Sequence, residues 1–175
     1  EPFAYSTGSL NYANGGTGWA NAWAYNSNSL IALSSPGLQD PSAALTVNGG
    51  TAELNLSYYG TVDQSRDLST PIGAAGTTAW MSFLVKPDGL NAGDYAGLKF
   101  GNSSAQRAFA GYTEGGYFAV EEAGGAGTVR VSGIRPAAGQ TYLLVVRMDF
   151  TSGADTLTLY VNPTPGLASP NSSFT

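Results

Sequence analysis

The chain has 175 residues, among them 24 Gly and 9 Pro, with a formal net charge of −5. Asp, Glu, Lys and Arg make up only 11%, against about 25% in an average soluble protein, so the surface has to be built from Ser, Thr, Asn and Gly. Lys86 and Lys99 are its only lysines and it has no Cys or His, which argues against nucleic acid and anionic membrane as partners and excludes disulfides, thiol chemistry and His- or Cys-based catalysis.

In chain order, Phe3, Tyr5 and Leu10 suit an edge strand, with Pro2 at its start. Residues 11–18 (NYANGGTG) form a glycine-rich loop, followed by Trp19, Trp23 and Tyr25. Leu30, Ile31 and Leu33 make a short apolar patch closed by Pro36-Gly37. Ala43–Val47 and Thr51–Leu56 flank Asn48-Gly49-Gly50, a strong turn signal, and predict a hairpin with Leu45, Val47, Ala52, Leu54 and Leu56 inward. Val62–Ile72 is polar and reads as irregular. Thr77–Val85 (TTAWMSFLV) reads as a strand with two largely apolar faces, hence a central one, with Trp80 in the core.

Downstream, Tyr95–Phe100 alternates weakly. Phe109–Tyr112 and Tyr117–Val120 flank Gly115-Gly116 as a hairpin. Gly124–Gly127 reads as a loop and Thr128–Val131 as a short strand. The least ambiguous stretch is Thr141–Asn162. Leu143–Val146 is an apolar run. After the loop Thr151–Asp155 the chain alternates, with Leu157, Leu159 and Val161 on one face and Thr156, Thr158 and Tyr160 on the other. Pro163 and Pro165 end the ladder, since neither can donate to it. No helical period persists and no apolar run nears the ~18 residues of a membrane helix. The pattern predicts an all-β antiparallel sandwich over residues 1–162, with a Pro/Ser-rich C-terminal tail over 163–175.

Several segments, in this order, resemble a known group. They are Phe3-Ala-Tyr-Ser-Thr-Gly-Ser-Leu10, Asn14-Gly-Gly-Thr-Gly-Trp19, Ser65-Arg-Asp-Leu-Ser-Thr70, Trp80-Met-Ser-Phe-Leu-Val85, Arg147-Met-Asp149 and Leu157-Thr-Leu-Tyr-Val-Asn-Pro163. Together they are similar to the concanavalin A-like (laminin G-like) jelly-roll domains of secreted bacterial proteins. The resemblance implies two curved antiparallel sheets, with ligand on the concave face or the rim loops. Such domains serve as lectins, adhesion modules, appendages of polysaccharide-degrading enzymes and glycosidases. The glycosidases carry a Glu-x-Asp-x-(x)-Glu strand, which this chain lacks. The family also has one more strand after the Asn-Pro segment, where this chain has only Thr164–Thr175, a stretch that reads as a poor strand.

Three sets of site candidates follow. Glycoside hydrolysis needs two carboxylates roughly 5–9 Å apart. Glu121 and Glu122 are neighbours on a strand and point to opposite faces, so they cannot form that pair between themselves; other pairs remain geometrically open but none stands out, and no enzyme is expected. For sugar stacking the candidates are Trp19, Trp23, Tyr58 and Tyr59, each weighed against packing as a core or loop anchor. For calcium, Asp149 and Asp155 flank one loop and are candidate ligands, and Asp88 and Asp94 flank another, against the ordinary turn role of Asp. The expected function is a non-enzymatic carbohydrate-binding or adhesion module, secreted or at the cell surface, with a glycan or neighbouring subunits as partner. The alternative is a structural subunit of an extracellular fibre or surface layer, assembled through strand or sheet-edge contacts. A start at Glu1 without an initiator Met fits a processed secreted protein, and equally a trimmed chain.

Overall fold

The structure, a computed structural model, describes residues 1–25, 31–43, 45–54, 62–91, 93–102, 105–122, 128–164 and 173–174, with the side chains of 105, 173 and 174 left aside. The described residues are all β, with no helix, and form three antiparallel sheets. No helix among them is long and apolar enough to cross a membrane. The chain divides into two compact units, residues 1–39 with 45–72, and residues 40–44 with 73–175.

In the first unit, β1 (Gly8–Ser9), β2 (Ile31–Ser34) and β3 (Thr51–Leu54) form a sheet in that order. Ile31 and Leu33 alternate inward from β2 and join Leu10 and Val62 in a small core. The hairpin expected across Asn48-Gly49-Gly50 is not formed. β3 pairs instead with β2, Ile31 opposite Leu54 and Ser34 opposite Thr51, while Leu45 and Leu54 are 41% and 42% exposed. The two glycines serve a close approach rather than a two-residue turn. Gly50 N–H donates to the Pro2 carbonyl at 3.0 Å, and a Cβ on Gly49 would fall 1.9 Å from that same oxygen. Any side chain there would expel the N-terminal segment. Val62–Ile72 is irregular, as expected, apart from a single bridge between Leu68 and Trp19.

In the second unit, β4 (Thr78–Val85), β9 (Tyr142–Asp149), β10 (Thr156–Val161) and β11 (Ser173–Phe174) form one sheet in the order β11-β10-β9-β4. The other holds β5 (Ala96–Asn102), β6 (Ala105–Tyr112), β7 (Phe118–Glu122) and β8 (Val129–Val131) in sequence order. The inward faces of the two sheets share one core, with Tyr142, Leu144, Val146, Met148, Leu159 and Val161 from the first against Ala110, Tyr112, Phe118 and Val120 from the second. The arrangement is sandwich-like. Gly97 and Gly111 oppose each other across β5 and β6, and a Cβ on Gly97 would lie 2.3 Å from the Ala110 carbonyl.

The hairpin of β9 and β10 is as the sequence predicts, in register from Asp149 opposite Thr156 to Leu144 opposite Val161. Its loop is closed by the predicted chemistry, the Asp155 carboxylate accepting the Thr151 N–H at 2.9 Å. Asn162 ends β10 at φ +48°, a left-handed conformation Asn tolerates, and its side chain accepts the Leu143 N–H at 2.8 Å. Two expectations are corrected here. β4 is not central: it pairs with β9 alone among the described residues. The tail does contribute a strand, since Ser173 and Phe174 pair with Tyr160 and Leu159. Two residues suffice for this because main-chain pairing does not depend on the proline-containing stretch before them.

Candidate functional site

The register of the β4-β9-β10 sheet fixes what its outward face carries. Thr78, Asp149 and Thr156 form one row, Trp80, Arg147 and Thr158 the next, and Ser82, Val145 and Tyr160 the third. Period-2 alternation puts all nine on the face opposite the core. Trp80 was expected in the core and is instead 59% exposed. Its neighbours Ala79 and Phe83 take the inward positions, so the apolar character of both faces of β4 conceals which side is buried.

The Trp80 ring reaches diagonally across β9 and stacks on Tyr160, with ring centroids 6.0 Å apart and planes 16° from parallel. Tyr160 beneath it is only 7% exposed. The Arg147 guanidinium lies 5.5 Å from the Trp80 ring centroid, within cation–π range. Arg147 is itself oriented by Asp149, its Nε donating to Oδ1 at 3.0 Å and lying 2.9 Å from Oδ2. The Thr78 hydroxyl donates to the same carboxylate at 2.6 Å. That hydrogen bond first, and Arg147 second, hold Asp149 below its ordinary pKa of 3.8, against an opposing desolvation. Asp149, and after it Tyr160, raise the pKa of Arg147. The face thus presents one broad apolar ring of fixed orientation, with a cation, a carboxylate and hydroxyls around it.

The depressed pKa of Asp149 carries a pH prediction. A carboxylate lowered on folding contributes stability above its unfolded value of 3.8, and that stability is lost as pH falls through the lower folded value. Thermal melts between pH 5 and pH 2 are expected to fall more steeply for the wild type than for Asp149→Asn. Parallel curves would show that Asp149 has no share in acid stability.

Trp19 and Trp23 lie elsewhere, in the first unit, and are half-buried. The Arg66 guanidinium sits 4.7 Å from one ring centroid and 5.6 Å from the other. Trp23 stacks on Phe3 at 6.0 Å. Both indole N–H groups are buried without a hydrogen-bond partner among the described residues. Packing against Arg66 and Phe3 gives both rings a structural role in this unit. Arg66 is the hub, its side chain 1% exposed. It donates to Glu1 at 2.7 Å, Tyr5 at 3.1 Å, the Gly15 carbonyl at 3.2 Å and the Asn21 carbonyl at 2.6 Å. Tyr58 and Tyr59 lie outside the described residues.

Asp149 and Asp155 are each engaged within the fold, as given above, and no group of three or more acidic side chains among the described residues is placed to hold a metal ion. A cleft of about 220 Å³ lies between Asp40, Pro41, Ser42, Leu143, Asn162 and Pro163, below the ~300–1,000 Å³ of small-molecule sites. Its Asp40 carboxylate accepts the Ser42 N–H and hydroxyl at 3.2 and 2.8 Å. Thr158 and Tyr160 are buried, and the exposed part of the outward face, Trp80 with Thr78, Ser82 and Thr156 around it, is the surface best suited to a ligand. One signal in the sequence pointed to it: Trp80 and Ser82 share a parity, as do Thr156, Thr158 and Tyr160. Comparison with protein-family models, with curated proteins and with solved structures finds no match.

Proposed function

We propose that this chain is a non-enzymatic, carbohydrate-binding or adhesion module of a secreted or cell-surface protein, built as a concanavalin A-like jelly roll. Supporting the fold reading are two four-stranded antiparallel sheets over one core. The single observation that carries the functional reading is the exposed Trp80 ring on a polar sheet face. A pyranose has an apolar C–H face and a rim of hydroxyls. The π-face of an aromatic ring attracts the former, and Arg147, Asp149 and Thr156 offer donors and acceptors to the latter. Stacking against Tyr160 and Arg147 holds the indole in one rotamer, which lowers the ordering cost of binding.

The test is a glycan array probed with the wild type and with Trp80→Ala. Binding to a restricted set of glycans is expected for the wild type, with loss of at least tenfold in affinity for the variant, about 1.4 kcal/mol. Trp80→Ala also removes the stack on Tyr160, about 0.5–1.5 kcal/mol, so a modest fall in melting temperature is expected with the far-UV circular dichroism unchanged, which separates loss of binding from loss of fold. An array with no bound glycan, or binding indifferent to Trp80→Ala, would rule out this face as the site.

A further inference from the structure

Two exposed tyrosines of the first unit stand together. Tyr12 and Tyr25 are 67% and 59% exposed, and no other tyrosine among the described residues is exposed. Their ring centroids lie 5.4 Å apart with planes 11° from parallel. Main-chain hydrogen bonds hold the two segments side by side. The Tyr12 N–H donates to the Trp23 carbonyl at 3.1 Å, and the Trp23 N–H to the Ala13 carbonyl at 3.0 Å. The second segment is fixed in turn by residues 64 and 65. The Gln64 side-chain amide donates to the Ala24 carbonyl at 3.0 Å, and the Ala24 N–H to the Ser65 carbonyl at 2.8 Å.

The backbone marks Tyr12 as more than surface packing. The Ala13 N–H donates to the Leu10 carbonyl at 3.1 Å, which makes Leu10–Ala13 a β-turn with Tyr12 as its third residue. Tyr12 has φ +60°. Turns with a positive φ at that position favour Gly or Asn, and a bulky side chain there is strained. Strain of this kind clusters at functional sites. A glycine would serve the turn better, but it could not set a phenol against Tyr25.

We propose that Tyr12 and Tyr25 are a site of oxidative cross-linking, joined as a dityrosine that clasps the loop between them. The co-reactant is hydrogen peroxide, used by a one-electron oxidant of the peroxidase class. Each phenol gives up one electron and its O–H proton. The two phenoxyl radicals combine through ring carbons ortho to the oxygens. The hydrogens on those carbons then move to the oxygens and restore both phenols. One carbon–carbon bond forms, the chain loses two hydrogen atoms, and one peroxide becomes two waters. Exposed side chains change rotamer within nanoseconds, so the rings can turn from the stack to the edge contact that the bond needs. Their proximity makes the coupling a step within one chain.

The chain has no cysteine, so no disulfide can close this loop, and a dityrosine fills that role. The loop, residues 13–24, carries Trp19 and Trp23 and the Gly15 and Asn21 carbonyls that accept from Arg66. A cross-link at its ends stabilises by constraining the unfolded chain.

The test is treatment of the dilute whole chain with peroxidase and hydrogen peroxide, followed by mass spectrometry. The wild type is expected to stay a single chain, to lose the mass of two hydrogens and to gain the blue fluorescence of dityrosine. The first trypsin site is Arg66. The peptide 1–66 should carry the loss and give no backbone fragments between residues 12 and 25. Tyr12→Phe and Tyr25→Phe keep the ring but lack the phenol. Each is expected to lose the product and to keep the far-UV circular dichroism of the wild type. The joined chain is expected to melt at a higher temperature than the untreated one, a rise absent from Tyr12→Phe treated in the same way. A chain left unchanged by the oxidant, coupling only between chains, a link that maps to other tyrosines, or a product that survives Tyr12→Phe would each overturn the proposal. A joined chain that melts no higher would overturn the clasp.

Discussion

Leu159→Ala is expected to lower the unfolding free energy by about 2–5 kcal/mol, through lost transfer energy plus the cavity left behind. Leu159 is fully buried at the middle of β10, between β9 on one side and β11 on the other. Its inward position places it in the core shared by both sheets of the second unit. The interior is close-packed, so the walls of the cavity would collapse only in part. Leu157, two residues earlier on the same face, is only half-buried and supplies the control: Leu157→Ala is expected to cost clearly less. Equilibrium urea unfolding of the three proteins measures the difference. Equal costs for the two leucines would mean that the core does not sit where the contacts put it.

The second large effect is expected in the first unit. Arg66→Met removes one partner of a buried ion pair and leaves the Glu1 carboxylate, 10% exposed, without its cation. Breaking such a pair from one side costs about 3–5 kcal/mol, because the remaining charge stays desolvated. The substitution also withdraws the cation that lies over the Trp19 and Trp23 rings. Two of the three tryptophans lie in this unit, and the third, Trp80, is already 59% exposed. Measured in a Trp80→Phe background, tryptophan emission therefore reports on this unit, and the variant is expected to show a red shift at lower urea than the same background with Arg66 intact. Arg66→Lys keeps the charge but cannot spread donors over Glu1, Gly15 and Asn21, so it should recover only part of the loss. A fully stable Arg66→Met would show that the tryptophans are held by other means and would reopen them as ligand candidates.

Strands built from local alternation were legible in the sequence. The β9–β10 hairpin, the loop closed by Asp155 and the β6–β7 hairpin around Gly115-Gly116 each carry their periodicity and turn chemistry within about twenty residues. What failed depended on distant partners. Asn48-Gly49-Gly50 has the composition of a hairpin turn, yet its glycines answer to Pro2 far upstream. β4 has two apolar faces, which suits a central strand, but among the described residues it pairs with β9 alone, and that follows from which strand β9 accepts on each side. The same ambiguity hid Trp80. The choice between Trp80 and Phe83 as the inward residue is one of register, and a shift of one residue exchanges the faces. For Trp19 and Trp23 the deciding neighbour is Arg66, more than forty residues away, and nothing near the tryptophans announces it.

The central claim is that the outward face of β4, β9 and β10 is a glycan platform with Trp80 at its centre. The chain has three tryptophans, hence three indole N–H resonances in a nitrogen-15 spectrum, and Trp80→Phe identifies one of them by its disappearance. Titration with a glycan selected on the array is expected to move the Trp80 resonance progressively and leave those of Trp19 and Trp23, half-buried beside Arg66, in place. A titration that moves Trp19 or Trp23 while Trp80 stays still would contradict the account and put the site in the first unit.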